Sequence, residues 1–277
     1  NNCTFCIIPT IRGRQTSRPI EAIVEEVKLM LSQWIREIQI LSQDTTRYGT
    51  DIYDEPRLIE MLQAIDQTIA ESGIDARYRV YYLYPDILTL DHLSKLRELK
   101  YFLPYFDIPF QHISENILKL MGRHYDQAHI FSFLDTIRSS FPDSFIRTSF
   151  IIGFPSETDA DFQELCDFVE KYQFESVGIF QYHDEPLAAS SKLPNKVDES
   201  IAKSRISILT PILESIYEAK KNARKGKKQH GYIMEVREKT ATIRGELHAP
   251  EVDEYDEVRL SDITGEVEIG SFVEYIF

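Results

Sequence analysis

The stretch "SFIRTSFIIGFPSETDADFQELCDFVEKY", residues 144–172, carries two different periodicities in succession. Its first part, 144–155, is rich in β-branched and aromatic residues and reads as a strand. Residues 157–171 space their apolar side chains as one face of a helix, and "PSETDADF" supplies the acid-rich first turn that starts helices. Gly153 and Pro155 mark the turn between the two.

Working outward, the same unit recurs. "REIQILSQDT" (36–45), "RYRVYYLYP" (77–85), "YFDIPFQH" (105–112) and "SVGIFQYH" (176–183) read as further strands. Amphipathic stretches separate them at 19–34, 56–72, 89–99, 114–121 and 126–140; the last sets Ile130, Phe133, Leu134 and Ile137 on one face. Strand–helix alternation predicts a parallel α/β sheet or barrel. Ligands in such folds collect at the carboxyl ends of the strands. Gln43 and Asp44, Tyr84 to Asp86, Gln111 and His112, Gly153 to Glu157, and Tyr182 with His183 all fall there.

Near residue 197 the pattern changes. Residues 197–226 are helical in spacing and end in "AKKNARKGKK", whose six Lys and Arg between Lys220 and Lys228 suit a solvated helix end. Beyond it, short alternating runs with Gly turns predict a small antiparallel β-barrel. The expected division is therefore 1–226 and 227–277. Residues 230–277 hold twelve Asp and Glu against four Lys and Arg, more than half of the chain's net charge of −14. An acidic balance argues against broad nucleic-acid binding and suits an enzyme that meets a basic partner.

With 43 % hydrophobic residues in 277, the chain can fill one large core and a small satellite. No window approaches eighteen unbroken apolar residues, so no membrane span is expected, and no basic-then-apolar leader is present. Three cysteines argue against a disulfide framework and fit a reducing cytoplasm.

Two of those cysteines, Cys3 and Cys6, lie in "NNCTFCIIPT" (1–10). A redox pair should follow a strand and cap a helix, but here the loop "IIPTIRGRQTSRP" follows, and the first helix is expected only near Pro19. A zinc site would need two more ligands at matched spacing, and the sequence has no second Cys-x-x-Cys. The third reading is an iron–sulfur ligand set short of one member. Cys166 falls on an apolar helical face and reads as a small buried hydrophobe.

"NNCTFCIIPTIRGRQTSRPIEAIVEEV" resembles the cluster loop of radical S-adenosylmethionine (SAM) enzymes, whose pattern is Cys-x-x-x-Cys-x-x-Cys. On that pattern Cys3 and Cys6 are the second and third ligands of a [4Fe-4S] cluster, and the first falls two positions before Asn1. "QDTTRYGTDIY", "YLYPD", "PFQHISENILKLMGR" and "IRTSFIIGFPSETDADF", in that order, resemble the methylthiotransferase branch of the superfamily, and the closing β segment resembles its TRAM domain. The resemblance implies an open partial (β/α) barrel with at least five parallel strands, followed by the small TRAM-like barrel.

Two substrate classes divide the branch. One group modifies adenosine in transfer RNA. The other adds a methylthio group to the β-carbon of an aspartate in the small-subunit ribosomal protein at the decoding centre. "SQDTTRYGTDIY", "PFQH" followed by "LMGR", and "GELHAPEVDE" resemble the second group, and the acidic tail suits docking of a basic ribosomal protein or the ribosome. The transfer-RNA enzymes and a non-catalytic module that binds a basic protein are the alternatives.

By the same resemblance, three thiolates leave one iron open to the amino and carboxylate groups of SAM, whose cleavage yields a 5′-deoxyadenosyl radical. Phe5 is expected beside cluster and SAM, or simply as a core aromatic. Gln43, Asp44 and Gln111 can bond polar parts of SAM. Gly153 shapes a turn at adenine or ribose. Glu157 serves SAM or caps the next helix. Arg147 takes the SAM carboxylate or a structural ion pair. His112 and His183 read as structural. The family's N-terminal domain, with three more cysteines and a second cluster, is not in this sequence, so the chain is expected to keep fold and docking surface without turnover.

Overall fold

A computed structural model describes residues 3–277. The 144–172 stretch folds as strand β4 (Phe145–Ile152) and helix α7 (Asp159–Tyr172). Around it stand α1 (Ile8–Arg12), α2 (Ile20–Ser32), β1 (Glu37–Ile40), α3 (Leu58–Ser72), β2 (Arg77–Val80), α4 (Leu90–Glu98), β3 (Phe102–Asp107), α5 (Glu115–Leu120), α6 (Gln127–Ser140) and β5 (Ser176–Gln181). The five strands are parallel and ordered β1-β2-β3-β4-β5, each joined to the next through helix. The β4–β5 register runs from Arg147 opposite Ser176 to Ile152 opposite Gln181.

Apolar faces explain the layering. Leu58, Ile59, Met61, Leu62, Ile65 and Ile69 of α3 are all buried at helical spacing. Ile130, Phe133, Leu134 and Ile137 of α6 are buried together, as their spacing predicts. Under α7, Phe168 meets Phe110, Phe150 and Phe174 with ring centroids 6.1, 6.1 and 5.4 Å away. Each such pair adds about 0.5–1.5 kcal/mol beyond its buried area.

Three expectations are corrected. The strands stop short of their expected ends: β1 ends at Ile40, before Gln43 and Asp44, and β2 ends at Val80. Beyond β2 and β3, Tyr82 (φ 56°) and Gln111 (φ 71°) turn left-handed, which breaks an extended path. A helix also precedes Pro19: α1 has Pro9 in its first turn and stops at Gly13, too short to show a period. Finally, the C-terminal strands form an open sheet among the described residues, not the closed barrel expected.

The chain forms two units, the first ending at Leu213 and the second running Glu214–Phe277. The division falls inside α8 (Glu199–Arg224), two residues beyond Pro211. The last turns of α8 belong with the second unit because Tyr217 donates to Glu254, and Arg224 bonds Asp256 and stacks on Phe277 at 4.6 Å. That unit has β6 (Lys228–Val236), β7 (Thr240–Gly245), β8 (Asp256–Arg259), β9 (Ile263–Thr264) and β10 (Phe272–Ile276), antiparallel in the order β8-β7-β6-β10-β9. Its core is Ile233, Ala241, Ile243, Val258, Val273 and Tyr275. Strand β9 is two residues long and ladders only on β10, which leaves β8 and β9 as edges. Among the described residues, no helix is long and apolar enough to cross a membrane.

Candidate functional site

At the carboxyl ends of the first unit's strands the backbone is strained. Tyr82, Gln111 and Ser156 have φ of 56°, 71° and 72°, and Gly153 lies at 81°. Non-glycine residues in this region cost about 1–3 kcal/mol each, and such strain gathers at functional sites.

The cysteine loop is fastened to the same end. Thr4 is its anchor: its N–H donates to Met121 O at 3.0 Å, its hydroxyl donates to Leu120 O at 2.7 Å, and its carbonyl accepts from Ser190 N at 2.8 Å. Cys6 N donates to Cys3 O at 3.0 Å, closing the turn that holds both thiols half-buried. Phe5 packs against Ile117, Met121, Ile151 and Phe154, meeting the Phe154 ring edge-on at 6.5 Å. Phe5 therefore does the work of a core aromatic while standing between the two cysteines. Burial pushes the Cys3 thiol up, and the Arg123 guanidinium pulls against it.

The loops after β1 and β2 are tied together by charge. Asp44, 5 % exposed, accepts from Thr46 and pairs with Arg47 at 3.1 Å; Arg47 also reaches Asp86 at 3.0 Å. Burial raises the Asp44 carboxyl above its usual range, against the pull of Thr46 and Arg47. Asp44 lies close enough for its charge to act on the Cys3 thiol. Gln43, in the same loop, is exposed.

Arg123, just after α5, is 8 % exposed. Nη2 donates to Pro109 O at 3.2 Å, while Nε and Nη1 are buried without a hydrogen-bond partner. The guanidinium lies 5.0 Å from the Tyr84 ring and 6.0 Å from the Phe5 ring. Among the described residues no carboxylate pairs with it.

The remaining predicted residues serve the frame of the site. Gln111 donates from Nε2 to Ser149 Oγ at 3.1 Å and bridges β4 through its backbone. Arg147 pairs with Asp107 at 2.9 Å, and Asp107 also accepts from Tyr82 N at 3.2 Å. Glu157 has a fully buried side chain that accepts from Gly153 N at 2.9 Å and from Arg205 at 2.7 Å, with His112 Nε2 at 3.6 Å. The cap of α7 is instead Thr158, in a reciprocal box with Asp161. Gly153 lies against α8: a Cβ there would come within 2.6 Å of the Ala202 Cβ. His112 accepts from Ser114 N through Nδ1 at 3.0 Å, whereas His183 is exposed. Cys166 is buried, and burial pushes its thiol up to about 11, leaving it inert at neutral pH.

Cys3, Phe5, Cys6 and Asp44 thus gather with Arg47, Tyr84 and Arg123. Gln111 and Arg147 brace the neighbouring strands, while Glu157 holds the Gly153 turn. Sequence reasoning passed over Arg47 and Arg123, although both sit inside motifs that it singled out, "QDTTRYGTDIY" and "LMGR". An arginine among hydroxylic neighbours (Thr45, Thr46, Tyr48) and one closing the apolar run Leu120 to Gly122 were the available signal. Among the described residues, no three His, Cys, Asp or Glu converge to hold a metal ion. A separate concavity of about 280 Å³ lies against α2 and β1, lined by Gln15, Ser17, Met30, Ile40 and Tyr48 among others, and by none of the predicted site residues.

Comparison with known proteins gives a consistent result. The Radical SAM superfamily profile matches residues 1–169. The chain is 37 % identical over 274 residues to the ribosomal protein uS12 methylthiotransferase RimO of Clostridioides difficile, covering 99 % of this chain and 60 % of that protein. It is 40 % identical over 275 residues to RimO of Thermotoga maritima, covering 99 % and 62 %. The chain therefore spans about three fifths of the length of these relatives. Among solved structures, the radical SAM enzyme coproporphyrinogen III oxidase of Escherichia coli superposes with a TM-score of 0.55 at 16 % identity, over 76 % of this chain and 50 % of that one. The methyltransferase TsrM of Kitasatospora setae, with cobalamin and a [4Fe-4S] cluster bound, gives 0.53 at 15 %, over 65 % and 34 %. At these identities the two structures speak for the fold alone.

Proposed function

The chain belongs to the radical SAM superfamily, and from that premise we propose that it is the SAM-binding core and docking unit of a methylthiotransferase that modifies ribosomal protein uS12. The observation that carries this reading is the Cys3–Cys6 loop, fastened by Thr4 at the strand carboxyl ends of a chain 37–40 % identical to RimO over nearly its whole length. Within the proposal, the target is an aspartate of the decoding-centre protein, the C-terminal sheet is the TRAM-like docking unit, and the work is done in the cytoplasm. A second cluster belongs to a further N-terminal domain.

The residues present suit a [4Fe-4S] group. Two soft thiols flank one tight turn, and a buried guanidinium with two unbonded nitrogens stands beside them, as an anionic centre requires. Cys3 and Cys6 would hold the cluster together with a third thiolate of the family pattern. When bound, it supplies the electron that cleaves the sulfonium of SAM. Everything else is the protein's task of orientation and shielding. Phe5, Phe154 and Met121 keep water from one side of the loop. Asp44 and Gln111 present acceptors and donors for the polar parts of SAM. Arg147 already spends its charge on Asp107, so it holds β3 to β4 and orients Tyr82 through the shared carboxylate. Glu157 fixes the Gly153 turn by accepting from Gly153 N.

The test is on the full-length protein, reconstituted anaerobically with iron and sulfide and given SAM, a reductant and purified uS12. Mass spectrometry should find one methylthio group added on an aspartate. The same group appearing on transfer RNA, with none on uS12, would overturn the reading.

A further inference from the structure

We infer that Arg123 is a positioning charge for the iron–sulfur group at Cys3 and Cys6, and that its guanidinium raises that group's reduction potential. The inference rests on the cofactor reading above, but its argument is local. Arg123 is 8 % exposed, its Nε and Nη1 are buried without hydrogen-bond partners, and among the described residues no carboxylate pairs with it. Its electrostatic neighbours are the Tyr125 and Tyr84 hydroxyls and the Cys3 thiol. An unpaired buried cation is among the costliest groups a fold can hold, so it needs an anion.

The aromatic surroundings point the same way. The Tyr84 ring at 5.0 Å and the Phe5 ring at 6.0 Å lie against the guanidinium, and the Tyr84 hydroxyl is a neutral partner, so the positive charge meets no anion on that side. Nη2 is fixed on the Pro109 carbonyl at 3.2 Å, which sets the plane of the group. Contrast Arg47, Arg147 and Arg205 nearby, each of which has a carboxylate within 3.1 Å. Arg123 alone of these four keeps its charge uncompensated beside a thiol.

The step is a one-electron gain. A low-potential one-electron donor reduces the cluster from the 2+ to the 1+ state; no bond forms or breaks, and the site becomes more negative by one charge. A fixed cation nearby favours the more negative state and so raises the potential. Removing an opposite charge at contact range shifts protonation equilibria by about ten- to a thousandfold, and the same interaction acts on an electron. The expected shift is at the lower end, about tenfold in the reduction equilibrium, or about 59 mV for a one-electron couple.

The experiment uses the full-length protein with its cluster reconstituted, comparing wild type with Arg123→Gln, Arg123→Met and Arg123→Lys by redox titration followed by electron paramagnetic resonance. Circular dichroism identifies which variants fold; Arg123→Met fills the stem volume if Arg123→Gln does not fold. The neutral variants should titrate about 59 mV more negative than wild type, and Arg123→Lys should recover most of the difference. A bound cluster with the same potential in wild type and a folded neutral variant would overturn this inference alone. So would weaker SAM binding at unchanged potential, since the charge would then serve the co-substrate. A wild-type protein that assembles no cluster would overturn the cofactor reading together with this inference.

Discussion

Glu157 and Gly153 decide how firmly the end of β4 is held. The Glu157 carboxylate lies between Gly153 N and the Arg205 guanidinium, both buried. Removing one partner of a buried pair leaves the other uncompensated, at a cost of about 3–5 kcal/mol. Arg205 keeps a second bond to exposed Asp159 at 2.7 Å, so Glu157→Gln should cost about 3 kcal/mol in urea unfolding. Adding Arg205→Met should return part of that loss; a double variant weaker than the single one would contradict the pairing. Gly153→Ala faces a left-handed φ of 81° and a Cβ contact of 2.6 Å with Ala202. A loss of about 2 kcal/mol is expected, with Ala202→Gly restoring the contact share but not the backbone share.

Helix α7 shows how an element converts local charge into stability. Thr158 and Asp161 cap it reciprocally, with Thr158 N donating to Asp161 at 2.8 Å and Asp161 N to Thr158 at 3.2 Å. Ser114, at the start of α5, also donates to Asp161, so one carboxylate joins two helices. Burial works against ionisation of Asp161, but the Ser114 and Thr158 hydrogen bonds outweigh it and hold the carboxyl below its usual value. A lowered carboxyl contributes stability that is complete above its unfolded value of 3.8 and lost as pH falls through the folded value. Asp161→Asn should therefore cost about 1 kcal/mol at pH 7 and progressively less below pH 3.8, read from melting curves across pH. A difference that stays constant down to pH 2 would assign the effect to the cap's shape instead of its charge.

For the whole molecule, charge is distributed unevenly. Residues 230–277 carry −8 of the net −14. The basic run before them is partly neutralised within its own unit: Arg224 bonds Asp256, and Lys228 pairs with Glu274 at 2.8 Å. A basic partner would thus be drawn by long-range attraction, which salt screens within about 10 Å at 0.1 M and about 3 Å at 1 M. On the function proposed above, association with uS12 should slow by about tenfold or more between low salt and 0.5 M, with the change in the on-rate. An on-rate indifferent to salt would remove the acidic unit from the docking step.

Much of this was legible in the chain itself. Periodicity alone marks α6 and α7, because a one-sided apolar face is a local property of spacing. The strand-to-helix turn at Gly153 to Glu157 and the acidic balance of the last 48 residues are equally local. That the five strands are parallel followed from alternation, since parallel neighbours need a crossover; their order did not. What the sequence could not carry were the relations between distant residues. Thr4 anchors the cysteine loop through Leu120, Met121 and Ser190, more than a hundred residues away. The partner of Glu157 is Arg205, on the helix expected over 197–226. Whether Arg123 has a counter-ion depends on which side chains converge around it, and so does whether Gly153 faces a ligand or Ala202. Those questions are settled by packing in three dimensions, where a carboxylate or a Cβ either fits within a few ångströms or does not.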